Sequence, residues 1–234
     1  MGARGVVVGV ALLVVVGGGA VVADRVAVGM AEDAAAREVQ AYVEGVIGEP
    51  DVQIHGFPFL TQVLAGRLDR VTARADGLVV DGVELTDVDI VARGIGVDQS
   101  YTVDDATLTG TLSVASAQRL LATQAELDVD LAAEGDRLLA RTTVLGVDLT
   151  AALAPRAQDG RIRIDVTRLT LGPASIDVAD LPRALEDQLT DLAIPIEGLP
   201  EGIALTGADV RDGAIRLSAA GADLVVEKRP GSGS

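Results

Sequence analysis

Cysteine is absent from the 234 residues. That excludes a disulfide framework, a thiol nucleophile and a Cys-ligated zinc site. Rings are scarce too: two Phe, two Tyr and no Trp. With 49% hydrophobic residues and only 2% aromatics, the core must be built from Val, Leu, Ile and Ala. Lys228 is the sole lysine and His55 the sole histidine. The formal net charge is −16, and such a field disfavours nucleic acid, whose phosphates need clustered cations. Neither a basic stripe nor an aromatic stacking platform is present, and the acidity reads as solubility.

Catalytic signatures are equally thin. A Ser-His-Asp triad would have to use His55, yet no Gly-x-Ser-x-Gly elbow accompanies it. A lone histidine on a strand beside Gly56 reads as structural. Asp87/Asp89 and Asp128/Asp130 are Asp-Val-Asp pairs. At strand spacing both carboxylates of a pair share a face and could hold a cation, although a solvated outer face is the plainer reading. No EF-hand loop, P-loop or dinucleotide fingerprint occurs. Gly94-Ile95-Gly96 lacks the third glycine and the helix that should follow. No catalytic residue, metal ligand or cofactor is assigned, and the chain is expected not to be an enzyme.

What is present begins at the N-terminus. Residues 6–23 contain no charged or polar side chain; Arg4 precedes them and Asp24 and Arg25 follow. As a helix this run spans about 27 Å, close to the roughly 30 Å hydrocarbon core. Arg4 and the free amine favour a cytoplasmic N-terminus, leaving the rest of the chain outside. Two readings fit: an uncleaved membrane anchor, or a signal peptide cleaved near Val21-Val22-Ala23. From 24 to 48 the pattern is amphipathic, with Val26, Met30, Val39, Val43, Val46 and Ile47 near one face. Gly48 and Pro50 should end this helix.

Then the period changes to two. Val52 and Ile54 alternate with polar residues, and residues 60–66 suggest one or two helical turns. Strands are expected over 70–75, from Val83 to Ile95, over 102–113, around Leu127, Val129 and Leu131, and over 137–144, 147–153 and 161–171. Short helices are expected over 116–122 and 180–189, the second with Asp180 as N-cap. Residues 203–211 and 214–226 form a closing hairpin through Asp212-Gly213, a favoured type I′ pair. Asp159-Gly160 repeats that turn chemistry. Many antiparallel strands with one apolar face must bury it, by curling round a helix or by forming a sandwich. Because short apolar residues dominate, that face is expected to need help from helices or a ligand to fill.

The most unusual stretch runs from His55 to Gly66 and holds both phenylalanines. It reads either as a staple joining strand to helix or as an apolar lip for a lipid tail or membrane surface. Ile54-His55-Gly56-Phe57-Pro58-Phe59-Leu60-Thr61-Gln62, followed by Leu64-Ala65-Gly66-Arg67-Leu68, resembles the signature of the actinobacterial LmeA-like phospholipid-binding family. Gly82-Val83-Glu84-Leu85-Thr86-Asp87-Val88-Asp89 and Leu199-Pro200-Glu201-Gly202-Ile203 extend the resemblance over roughly residues 30–226. It implies an exported envelope protein that binds phospholipid, and for the best-known member a role in elongating mannan lipoglycans. It also implies a fold similar to the tubular lipid-binding superfamily, a long helix held in a strongly curved antiparallel sheet.

The expectation is therefore an α+β chain in three parts: an anchor or signal peptide over 1–25, a lipid-binding domain over 26–228 and a disordered tail over 229–234. The expected function is non-enzymatic phospholipid binding, with or without transfer, at the outer face of the cytoplasmic membrane in support of envelope lipid or lipoglycan assembly. The alternative is a scaffold for envelope enzymes. The expected partners are phospholipid and membrane. The candidate lipid-contacting residues are Val39, Val43, Ile47, Phe57, Phe59, Leu60, Val63 and Leu64.

Overall fold

The structure is a computed structural model that describes residues 3–80, 83–97, 101–124, 129–144, 146–180, 192–194 and 202–226, with side chains from Val21 onward except at 42, 80, 101, 124, 144 and 192–194. The apolar run and the segment after it form one continuous helix, α1 (Ala3–Tyr42). From Val21 onward, where side chains are described, no helix is long and apolar enough to cross a membrane.

The helix was expected to reach Gly48, but its last turn closes with the Val43 N–H donating to the Val39 carbonyl at 2.9 Å. Gly45 then takes φ +83°, which breaks the helix. Its carbonyl accepts from the Val79 N–H at 2.8 Å. The β-branched pair that follows is strand β1 (Val46–Ile47), opposite Leu78 and Gly77. Ile47 is thus on a sheet edge, not on the helix.

Among the described residues the strands form two sheets. The larger holds β1, β2 (Asp51–His55), β3 (Arg67–Val80), β4 (Val83–Gly96), β5 (Tyr101–Ser113), β12 (Ile203–Arg211) and β13 (Ala214–Val226). Their order is β1-β3-β4-β5-β13-β12, with β2 also pairing β3. The smaller holds β6 (Asp130–Glu134), β7 (Arg137–Val144), β8 (Val147–Gln158), β9 (Arg161–Leu171), β10 (Ala174–Asp177) and β11 (Leu192–Ile194). All pairings are antiparallel. Hairpins β8–β9 and β12–β13 turn through Asp159-Gly160 and Asp212-Gly213, all four residues with positive φ, as a type I′ turn demands.

Two apolar cores result. In the larger, Leu112, Val210, Ile215 and Leu217 of the first sheet meet Leu138, Leu153, Ile162, Ile164 and Val166 of the second, with Ala117 and Leu121 of α3 (Val114–Gln124). The smaller lies at the opposite end of the long strands: Val28 of α1, Phe59 of α2 (Phe59–Leu64) and Leu68, with Ile54, Val71 and Ile95 against them. α1 makes its principal contacts with β2 and α2. The Glu32 Oε1 accepts the Ile54 N–H at 2.7 Å, capping an amide of β2. The helix therefore runs along the β2 side of the sheet, and these contacts do not describe a helix enclosed by it. A short 3₁₀ helix occupies Val178–Asp180; the helix expected beyond it, and the tail over 229–234, lie outside the described residues.

Candidate functional site: an apolar trough on the larger sheet

Cross-strand register shows what each face of the larger sheet is made of. One row runs Ile54–Val71–Ala92–Ala106–Gly221–Ile203 across six strands. The next on the same face runs Val52–Ala73–Ile90–Leu108–Ala219–Leu205. Both are wholly apolar. The row between them, on the opposite face, is Gln53–Thr72–Val91–Thr107–Ala220–Ala204. The flanking rows on that opposite face carry His55, Arg70, Arg93 and Asp105 on one side and Asp51, Arg74, Asp89 and Thr109 on the other. Alternation along each strand thus sorts the sheet into an apolar and a polar face.

The apolar face is covered at both ends and not between. Toward β2 it meets α1 and α2; toward the far ends of the strands it meets the smaller sheet. In the middle, Ile90 keeps 38% of its surface exposed, although its row ends in buried Val52 and Leu205. Ala73, Ala92 and Leu108 around it are only half-buried. A central strand of an apolar face buries its Ile when another layer lies on it; among the described residues none lies on Ile90. Alanine keeps the open floor low at Ala73 and Ala92; toward β5 and β13 the same face is closed, with Ala106 8% and Ala219 3% exposed. Gly221 is required by close approach, since a Cβ there would sit 2.5 Å from the Gly202 carbonyl oxygen. Five inter-strand spacings make each row about 24 Å long.

The residues singled out from sequence are distributed differently. Phe59 is 7% exposed and belongs to the smaller core, whereas Phe57 is 54% exposed, with the Arg25 guanidinium 5.3 Å from its ring centroid. Leu60, Val63 and Leu64 are exposed on α2; Val43 and Ile47 are exposed, and Val39 is half-buried. None of these eight lies in the two apolar rows, so the structure does not gather them into one groove with the trough. The residues that do line it, Ala73, Ile90, Ala92 and Leu108, carry only strand alternation in the sequence. Their signal was the alternation of small apolar with polar residues.

Other candidates fall away on chemistry. A cavity of ≈ 620 Å³ between α1 and β2 sets Glu32, Asp33, Glu49 and Asp51 beside apolar Val52 and Ile54, and its four carboxylates are hostile to a phosphate. His55 Nε2 is 2.8 Å from Thr72 Oγ1 on the polar face. Asp89 pairs with Arg74 at 2.7 Å, while Asp87 sits at a bulge with φ +49°, so that Asp-Val-Asp pair does not act together. Asp128 lies outside the described residues. Among the described residues no group of His, Asp or Glu could hold a metal ion. The Asp177 carboxyl is held below its ordinary value, chiefly by the hydrogen bond from Arg168, whose Nε and Nη2 donate at 3.0 and 3.2 Å. That pair lies on the β9–β10 hairpin of the smaller sheet.

The chain thus combines a long two-faced antiparallel sheet with an uncovered apolar strip. The family described as LmeA-like phospholipid-binding matches residues 22–220, and the chain belongs to it. No curated protein and no solved structure matches it.

Proposed function

We infer that the protein binds phospholipid without enzymatic chemistry, its acyl chains lying in the trough over Ala73, Ile90, Ala92 and Leu108. The exposed Ile90 in an otherwise apolar, end-covered row carries this reading. Membership of a phospholipid-binding family supports it. Each methylene moved from water onto such a floor contributes about 0.8 kcal/mol, so roughly ten of them offset a substantial part of the cost of ordering a lipid. The polar opposite face stays in water.

The run over 6–23 holds the domain at the outer face of the cytoplasmic membrane, with Arg4 on the cytoplasmic side. There the domain holds or passes lipid during envelope assembly. An alkaline phosphatase fused after Ser234 is expected to be active in cells; an inactive fusion beside an active cytoplasmic reporter would reverse the orientation. The lipid reading is tested by mass spectrometry of an organic extract of the purified full chain. Wild type should carry phospholipid, and Ala92→Phe, which raises the trough floor, should carry much less. An extract without lipid, or one unchanged by Ala92→Phe, would remove the trough as the site.

A further inference from the structure

The α2 helix has its apolar side outward. Phe59 and Gln62, three residues apart, face in: Phe59 packs in the smaller core and the Gln62 Oε1 accepts the Asp69 N–H at 2.8 Å. Leu60, Val63 and Leu64, at i, i+3 and i+4, share the other face, and all three are exposed. Leu64 is 89% exposed, about as open as a side chain on a folded surface can be. Phe57, just before the helix, extends this surface. A water-facing helix of ordinary design would carry charges there. This one carries none between Gly56 and Gly66.

α2 is also pinned at a particular height on α1. The Asp24 carboxyl, only 3% exposed, accepts the Leu60 N–H at 2.8 Å. Asp24 is the first charged residue after the apolar run, immediately following Ala23. Whatever plane Ala23 marks, the first turn of α2 lies level with it. Arg25, the next residue, stands over the Phe57 ring and puts a cation at the same level.

We propose that α2 is a foot seated in the headgroup–acyl boundary of the bilayer, with Leu60, Val63, Leu64 and Phe57 entering the lipid and Arg25 facing lipid phosphates. This rests on the reading of residues 6–23 as membrane-embedded. The foot would fix the domain's tilt, and it would present the α2 end of the trough to the lipid surface. The covered part of the sheet would then point away from the membrane. An apolar face held at the level where a membrane helix emerges matches the chemistry of interfacial helices, with aliphatic side chains below and a basic residue at the phosphates.

The chain has no cysteine, so a single introduced thiol is a unique label site. Full-length protein carrying Leu64→Cys, Ser175→Cys or Leu12→Cys would be labelled with a fluorophore and reconstituted into vesicles of phosphatidylcholine and phosphatidylglycerol. Shallow spin-labelled lipid should quench the Leu64 label strongly and leave the Ser175 label, on the exposed β10 hairpin, unquenched. Deep quenching of the Leu12 label reports separately on the run. If Leu12 is quenched and Leu64 behaves like Ser175, the foot is wrong and the anchor stands. If neither is quenched, both fall; if only Leu64 is quenched, the foot stands without the anchor. Efficient disulfide crosslinking between two unlabelled Leu64→Cys chains would give this face to a second copy and overturn the proposal. Functionally, the double variant Val63→Glu/Leu64→Glu should load phospholipid from vesicles roughly tenfold or more slowly than wild type. Once loaded, it should retain the same lipid in its extract. An equal loss of retained lipid would mean that α2 belongs to the trough and does not act as a foot.

Discussion

The two stretches of apolar face on the larger sheet differ in a single respect. Around Leu112, Val210 and Ile215 the smaller sheet lies on it and the side chains are buried. Around Ile90 and Ala92 the same face, built by the same alternation, has no layer on it among the described residues. Alternation therefore specifies which face is apolar but not what covers it. β3 and β4, 14 residues each, reach about 45 Å, longer than β8 and β9 at 12 and 11 residues, which pack chiefly on β12. A protein needing only stability would shorten the strands or extend the second sheet. Keeping the excess length open is what the proposed lipid site requires.

The contrast makes its largest prediction in the covered region. Leu138→Ala, at a buried position of the larger core, should cost about 2–5 kcal/mol in urea unfolding, from lost burial plus the cavity left behind. Asp24→Ala should cost about 1–3 kcal/mol, because it leaves the Leu60 N–H without its acceptor at a part-buried position. Ile90→Ala in the open strip should cost under about 1.5 kcal/mol, since much of that side chain is already in water. If Ile90→Ala proved as costly as Leu138→Ala, something would cover the strip and the two regions would not differ. Ala92→Phe should leave the unfolding midpoint nearly unchanged while reducing bound phospholipid, because a small-to-large change strains only a closed core.

The smallest effect belongs to pH and to the smaller sheet. Asp177 has its carboxyl pKa lowered from 3.8 in the fold, so its pairing with Arg168 is fully present above that value. The contribution is lost as pH falls through the lower folded value. Thermal melts of wild type and Asp177→Asn should differ slightly at neutral pH and converge in acid. Both partners are half-exposed, which keeps the difference small and salt-sensitive.

Much of the strand layout was legible in the residues. The segments 161–171 and 203–211/214–226 were readable with their bounds, because Asp-Gly turns flank clean alternation and little else fits such turns. The end of α1 was not, since Val46 and Ile47 satisfy a helical face as well as a strand, and Gly45 decided between them through a φ that no periodicity reports. The site was half legible. The excess of short apolar residues pointed to a face unable to fill itself, and the low floor at Ala73 and Ala92 is that face. Which strands would bear it could not be read, because exposure at Ile90 depends on where a second sheet stops. The attention drawn by Phe57 and Phe59 instead marked the α2 end, where one ring packs inward and the other lies outward.

The pairing of β5 with β13 sets an order of events. Thr109 finds its partner in Ser218, more than a hundred residues later, and the intervening chain builds the smaller sheet. During synthesis, β3, β4 and β5 can assemble as a meander, but β5 remains an unpaired edge until the C-terminal hairpin arrives. An open edge beside an apolar face is an aggregation template for as long as it waits. A truncation before Ala214 would therefore do more than delete one strand. It would leave the nascent sheet permanently unfinished, which makes the last hairpin the step that commits the whole chain to its fold.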